Sequence, residues 1–174
     1  MIAPIYSIGY GLRSVEDFMA LLRAYGIEYI ADVRSNPYSK WNPDFCREPI
    51  SAFLQQHGVG YVYLGDMIGG IPKDDSCYTE GKLDVQKAKK HEAFKVGIDR
   101  LINAHEKELS VALMCGEVEP HQCHRSKLIG EVLSEKGVSL VHIINEHQTK
   151  TQAQVMLELT KGKSTTDLFG NPTL

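Results

Sequence analysis

The sequence predicts a single α/β domain built on a mostly parallel sheet of about five strands, with helices on both faces. Three observations lead to this fold class. Short apolar runs of strand length alternate with amphipathic stretches of helical period along most of the chain. Successive strands joined by helices pair in parallel through right-handed crossovers. The length of 174 residues suits one well-packed domain and is short for two.

The first helix carries the clearest signals of the expected elements. Apolar residues fall at helical spacing over 14–25, Ser14 is suited to the N-cap with Asp17 three residues later, and Gly26 suits the C-terminal end. Further helices are expected at 50–56, 91–105, 123–135 and 152–159. The expected strands are 5–8, 29–33, 61–64, 111–114 and 138–144. The segment 65–90 is predicted as a surface loop or lid, and the domain as 1–161 with a flexible tail at 162–174.

Composition and charge narrow the class of protein. The formal net charge of -3 does not favour electrostatically driven nucleic-acid binding, although a local basic groove stays open. No apolar run approaches the roughly 20 residues of a membrane span, and no secretory leader is recognised, so a cytoplasmic protein without membrane contact is expected. In that compartment four cysteines are expected as free thiols or ligands rather than disulfides. They are Cys46, Cys77, Cys115 and Cys123.

Polar and glycine residues accumulate where the predicted strands end. Ligands in parallel α/β sheets bind at the carboxyl ends of the strands, so this edge is the expected functional region. The segments concerned are Gly9-Tyr10-Gly11, Asp32-Val33-Arg34, Gly69-Gly70, Cys115-Gly116-Glu117 and Asn145.

Cys115 and Glu117 follow the fourth predicted strand, and Cys123, His124 and Arg125 open the next helix. A thiol near a helix N-terminus and beside cationic side chains has a lowered pKa, and an arginine there can grip phosphate or carboxylate. Glu117 is a candidate general base. The alternative is structural: both cysteines pack as small core residues, the glutamate is a solvated charge, and the arginine pairs with a carboxylate.

The loop after the second strand offers a different set of groups. Arg34, Ser39, Lys40 and Trp41 combine cationic, hydroxyl and aromatic side chains able to hold phosphate and stack a base. The alternative is that Asp32 forms an ion pair with Arg34 or Arg125, which fixes the loop and binds no ligand. Gly69-Gly70 permits close approach of a ligand to the backbone, but a double glycine also marks an ordinary turn.

A metal site is the weaker reading of the same residues, and none is assigned. Cys115, His121, Cys123 and His124 include soft ligands for zinc, but their spacing is not that of paired-cysteine zinc motifs. A phosphatase loop, with arginine six residues after the cysteine, is also excluded, because His121 occupies that position.

Together these motifs resemble the domain-of-unknown-function family 488, across nearly all of 5–144. The Cys-x-Glu and Cys-His-Arg pair of Cys115–Arg125 is similar to the family signature, and Asp32-Val33-Arg34 to its Asp-Val-Arg loop. The chain departs from the family at Tyr10, where a histidine is usual. The resemblance implies an α/β domain and no settled activity. The other similar segments are Ser7-Ile8-Gly9-Tyr10, Pro37, Ser39, Asn42-Pro43, Ile68-Gly69-Gly70 and His142-Ile143.

The leading functional hypothesis is an enzyme acting on a phosphate-bearing substrate, such as a nucleotide or a nucleic-acid end, with a role in nucleic-acid metabolism. A non-catalytic nucleotide or nucleic-acid binding module is the alternative, followed by a thiol-redox or zinc protein. No cofactor is identified, and a homodimer stays open. The sequence 166–169 faintly resembles peptides that dock on the bacterial sliding clamp. The candidate catalytic residues are Cys115, Glu117, Cys123 and His124, and the candidate anion-binding residues are Arg125, Arg34, Asp32, Ser39, Tyr10, Gly69 and Gly70.

Overall fold

The computed structural model describes residues 2–160, so the predicted tail and its clamp-like segment lie outside the described residues. The strands are β1 (Ile5–Gly9), β2 (Tyr29–Asp32), β3 (Gly60–Tyr63), β4 (Tyr78–Thr79), β5 (Lys82–Leu83), β6 (Val111–Cys115), β7 (Leu140–Asn145) and β8 (Gln148–Thr151). The α-helices are α1 (Val15–Ala24), α2 (Arg47–Gln56), α3 (Gly65–Ile68), α4 (Val85–Lys90), α5 (Glu92–Glu106), α6 (Glu131–Glu135) and α7 (Gln152–Leu159).

The main sheet has six strands in the order β3-β2-β6-β1-β7-β8. The first five are mutually parallel, which confirms the α/β prediction, and β8 pairs antiparallel with β7. The expected count of about five strands omitted β8. That strand is short, polar and mostly exposed at the sheet edge, so it lacks the apolar alternation by which strands are recognised.

Two apolar layers cover the sheet. Helices α1 and α2 pack their apolar residues, among them Phe18 and Leu54, on one face. Helix α5 and the chain around α6 cover the other face, where Phe94 and Leu133 meet the strands. The crossovers therefore change face between β3 and β6, and the carboxyl ends of the central strands meet at one edge.

The segment 65–90 is not the surface loop or lid that its composition predicted. It holds α3, the β4–β5 hairpin and α4, and its side chains Cys77 and Ala88 are buried in the core. Asp74 and Asp84 accept backbone N–H groups at the start of short helical turns, so these two acidic residues act as caps.

The helix expected at 123–135 begins later and is irregular. A π-helical turn, Arg125–Gly130, leads into α6, and Cys123 lies in extended backbone just before it. Helix α2, in contrast, begins earlier than predicted, at Arg47 rather than at residue 50. Within residues 2–160, no helix combines the length and apolar character needed to cross a membrane.

Candidate functional site

A cleft of about 410 Å³ opens at the carboxyl ends of β1, β2 and β6. Seven of the residues that the sequence singled out line it, and they come from four separate loops. Their convergence follows from the parallel order of the strands, which brings distant loops to one edge. The seven are Tyr10, Arg34, Gly70, Cys115, Glu117, Cys123 and His124, joined by Ser35, Asn36, Ile71, Gly116 and Gln122.

Cys115 ends the central strand β6 with its side chain almost fully buried. Its thiol donates a hydrogen bond to Oε2 of Glu117 at 2.9 Å, while the rest of the Glu117 side chain is exposed. The pKa of Cys115 is raised, first by its hydrogen bond with Cys123 and then by burial and by the nearby carboxylate. Cys115 is therefore the protonated member of the thiol pair.

The sulfur of Cys123 accepts a hydrogen bond. Its Sγ takes the backbone N–H of Arg125 at 3.5 Å and lies 3.6 Å from Nδ1 of His124. The pKa of Cys123 is lowered, chiefly by the hydrogen bond with Cys115, with further contributions from His124 and the Arg125 charge outweighing burial. The cysteine that the sequence placed beside cationic groups is thus the one of the pair with the lowered pKa.

The imidazole of His124 is oriented from both sides. Its Nε2 lies 2.9 Å from the carbonyl oxygen of Val33, which only accepts, so Nε2 donates and Nδ1 faces Cys123. Gly70 packs against the ring so closely that a Cβ there would lie 3.0 Å from Cγ and Nδ1. The lack of a side chain at Gly70 therefore lets the backbone lie close to the His124 ring.

Three metal-ligating side chains meet at this point. One ligand atom each from Cys115, Cys123 and His124 lies within 4.8 Å of the others, and no further group of this kind occurs among residues 2–160. His121, which the sequence analysis weighed as a fourth ligand, stands apart and lies 3.7 Å from Glu119.

Arg125 occupies a different place from the one that its proposed role of anion holder requires. Its side chain is fully buried, does not line the cleft, and donates to Oγ of Ser7 at 3.1 Å and to the carbonyl oxygen of Glu117 at 2.6 Å. The guanidinium therefore fixes the Glu117 loop from behind and places a positive charge near Cys123.

A buried hydrogen-bond chain continues from Arg125 away from the cleft. Ser7 Oγ lies 2.6 Å from Nδ1 of His142, whose Nε2 lies 2.8 Å from the side-chain oxygen of Gln152, and Gln152 donates to the carbonyl oxygen of Ser126. Burial and the Arg125 charge lower the pKa of His142 to about 4, although the Gln152 hydrogen bond opposes this shift. The sequence predicts no site role for His142, although a histidine inside an apolar strand is a signal of a buried hydrogen-bond partner.

Arg34 and Asp32 form a bidentate ion pair. Nε and one terminal nitrogen of Arg34 donate to the two Asp32 oxygens at 2.9 and 2.7 Å, and the other terminal nitrogen donates to the Phe45 carbonyl and the Tyr10 hydroxyl. Asp32 also accepts from the Tyr61 hydroxyl at 2.6 Å. Burial disfavours the Arg34 charge, but Asp32 outweighs it and raises the arginine pKa.

Three predicted anion-binding residues support the cleft without lining it. Asp32 is fully buried beneath Arg34, Ser39 caps its own loop by accepting the backbone N–H of Asn42, and Gly69 packs on Ser35. Ser35, Asn36 and Gln122 line the cleft and were missed. Their only sequence signal is position, since each follows or precedes a predicted site residue by one or two positions.

Comparison with known proteins gives a match to a family model. No curated protein and no solved structure matches the chain. A family model described as Domain of unknown function DUF488 matches residues 14–132, a narrower span than the 5–144 of the sequence resemblance. The matched span includes Cys115 to Arg125 but excludes Ser7–Tyr10 and His142. Because the match covers more than half of the chain, this protein belongs to the DUF488 family.

Proposed function

We propose that this protein is a thiol-dependent enzyme acting on a phosphate-bearing substrate, such as a nucleotide or a nucleic-acid end. One observation carries the proposal: two thiols, a carboxylate and an oriented imidazole converge in one cleft. A nucleophile, a proton carrier and an orienting group within reach of one another are the elements of covalent catalysis.

Cys123 is the attacking group in this proposal. The backbone N–H of Arg125 donates to its thiolate form, and Nδ1–H of His124 does so when the imidazole carries both protons. Its sulfur forms a bond to the electrophilic atom of the substrate, and the electron pair of the broken bond leaves with the departing group.

The Cys115–Glu117 pair moves the proton. It shares one proton across 2.9 Å and gives that proton to the departing group. Water then attacks the covalent intermediate, returns a proton to the pair and releases the Cys123 thiolate. The cycle consumes one substrate and one water and needs no oxidant or reductant.

Binding of the phosphate is assigned to the Arg34 wall of the cleft. Arg34, which lines the cleft, uses four of its five N–H groups on Asp32, Phe45 and Tyr10, which leaves one N–H for a phosphate oxygen. The half-buried backbone of Gly70 and the side chains of Asn36 and Gln122, which also line the cleft, add donors. Arg125, being buried, contributes through its charge and by positioning the Glu117 loop.

The test is a turnover screen of nucleotides, phosphomonoesters and short oligonucleotides, followed by variants of the cleft. Cys123→Ser is expected to reduce the turnover at least about 100-fold, and Glu117→Gln about 100-fold, the usual scale for loss of a general acid or base. Cys46→Ser is the matched control, because Cys46 lies outside the cleft.

Two outcomes contradict the proposal. If Cys123→Ser and Glu117→Gln both keep the turnover of the wild type, the assigned roles are wrong. If no substrate turns over but nucleotides bind in a manner abolished by Arg34→Ala and indifferent to Cys123→Ser, the cleft belongs to a binding module.

A further inference from the structure

We propose that Cys115, Cys123 and His124, with Glu117 as the fourth group, form a binding site for a soft divalent cation of the Zn²⁺ type. The ligand atoms of the first three already lie within 4.8 Å of one another. Two sulfurs, one imidazole nitrogen and one carboxylate oxygen are all accepted zinc ligands. Binding of the ion depends on these residues and not on any catalytic role.

The distance between two of the ligand atoms fits a tetrahedral ion. Zinc bonds of about 2.3 Å to sulfur and 2.0–2.1 Å to nitrogen at a tetrahedral angle separate the two ligand atoms by about 3.6 Å. Cys123 Sγ and His124 Nδ1 are 3.6 Å apart. These two ligands therefore need little rearrangement to share one ion.

The outer shell around His124 is the kind that metal-bound histidines have. A ligating imidazole normally donates its other N–H to a carbonyl or carboxylate, which fixes the ring and leaves one lone pair for the ion. Nε2 of His124 donates to the Val33 carbonyl at 2.9 Å, so the lone pair of Nδ1 is directed toward Cys123. The backbone N–H of Arg125 on Cys123 Sγ supplies the corresponding support for the thiolate.

Glu117 completes the site by a small movement. Its Oε2 is 2.9 Å from Cys115 Sγ because the thiol donates to it, and the side chain is otherwise exposed and free to shift. Metal binding removes the Cys115 proton, and the two atoms separate to about 3.6 Å as fellow ligands. Two thiolates and one carboxylate then balance Zn²⁺ together with the buried Arg125 guanidinium.

Occupation of this site has a consequence that rests on the proposed function. When the ion is bound, the sulfur of Cys123 is a metal ligand and is no longer free to attack a substrate. Cys115 and Glu117 are also ligands, so they no longer carry the proton. Zinc-loaded protein is therefore the inactive form of the enzyme, and removal of the ion restores the nucleophile.

The experiment titrates reduced, metal-free full-length protein with Zn²⁺ against a chromophoric chelator, and with Co²⁺ followed by absorbance. One ion per chain is expected, with the visible bands of tetrahedral Co²⁺ and thiolate-to-cobalt charge transfer in the near ultraviolet. Cys115→Ser and Cys123→Ser should each weaken Zn²⁺ binding at least about 100-fold, and His124→Ala at least about 10-fold, since loss of an outer-shell partner alone costs 10–100-fold.

Cys46→Ser, which changes a thiol outside the cleft, should bind as the wild type does. Circular dichroism shows whether each variant is folded, and the wild-type Co²⁺ spectrum tests the site without any variant. The proposal is overturned by an octahedral spectrum without charge transfer, by absence of one-to-one binding, or by a folded Cys123→Ser variant that binds like the wild type. No substrate is used, so failure here is distinct from failure of the proposed enzyme.

Discussion

Two polar clusters lie next to each other, one lining the cleft and one inside the protein, and they differ in their access to solvent. In the cleft, Cys123 and His124 face an open space, and Glu117 has one thiol partner and is otherwise exposed. Behind it, Arg125, Ser7 and His142 form a hydrogen-bond chain closed to solvent. A polar side chain that lines the cleft can meet a ligand, as His124 can, whereas one that is closed to solvent, as His142 is, can act only on the protein around it.

The largest stability effect is expected from the closed cluster. Arg125→Met removes the donors to Ser7 and to the Glu117 carbonyl and leaves buried polar groups unpaired, so the free energy of unfolding should fall by about 3 kcal/mol. Urea denaturation measures this loss. Arg100→Met, at an exposed helical position, is the matched control and should change the stability by less than about 0.5 kcal/mol. Equal effects of the two substitutions would show that the buried chain is not structural.

The second expected effect is that the contribution of this cluster to the free energy of unfolding depends on pH. The pKa of His142 is about 4 in the folded protein and about 6.5 when unfolded, so protonation favours the unfolded chain. This stability is present above pH 6.5 and is lost as the pH falls toward 4, by about 2 kcal/mol between pH 7 and 5. Urea midpoints across this range, compared with His142→Gln, isolate the contribution. A wild type and a variant with the same slope would contradict it.

A smaller effect is expected from Gly70, whose backbone packs against the His124 ring in the cleft. Gly70→Ala places a Cβ 3.0 Å from the His124 ring, so the ring or the loop must move by a few tenths of an ångström at a cost of about 1 kcal/mol. Gly116→Ala is the matched control in the same cleft, because its Cβ would meet only ordinary contacts of 3.4 Å or more, to Tyr10. We expect Zn²⁺ affinity to fall for Gly70→Ala and to hold for Gly116→Ala. The reverse order would mean that the His124 position is unimportant.

The smallest stability effect is expected at Glu117. Its side chain is exposed, so Glu117→Gln should change the free energy of unfolding by less than about 0.5 kcal/mol, although it removes the proton carrier of the cleft. Thermal and urea denaturation check this expectation. A loss as large as that of Arg125→Met would place Glu117 in the closed cluster and erase the distinction between the two.

Much of the fold could be predicted because its signals are local. Strands β1, β2, β3, β6 and β7 are apolar runs between amphipathic helices, and their parallel order brings Cys115, Cys123 and Arg34 to one edge. Strand β8 was missed because a polar edge strand has no apolar pattern.

What the sequence could not give is the direction of each side chain at that edge. Arg125 follows His124 in the chain, yet one is buried behind the cleft and the other lines it. The π-helical turn that starts at Arg125 sets the directions of these two side chains, and the spacing of residues does not predict such a turn. For the same reason the ligand group of two thiols and one imidazole escaped the spacing rules for zinc.

The most direct measurement is the rate of iodoacetamide alkylation at each of the four cysteines in reduced, metal-free protein at neutral pH, read by peptide mass spectrometry. By exposure alone Cys46 should react first, because Cys123 is only 3% exposed. Cys123 is nevertheless expected to react faster than Cys46 and Cys77, since its thiolate is supported by Arg125 and His124 at the wall of the cleft. Rates that follow exposure, with Cys46 ahead of Cys123, would contradict the assignment of Cys123 as the nucleophile.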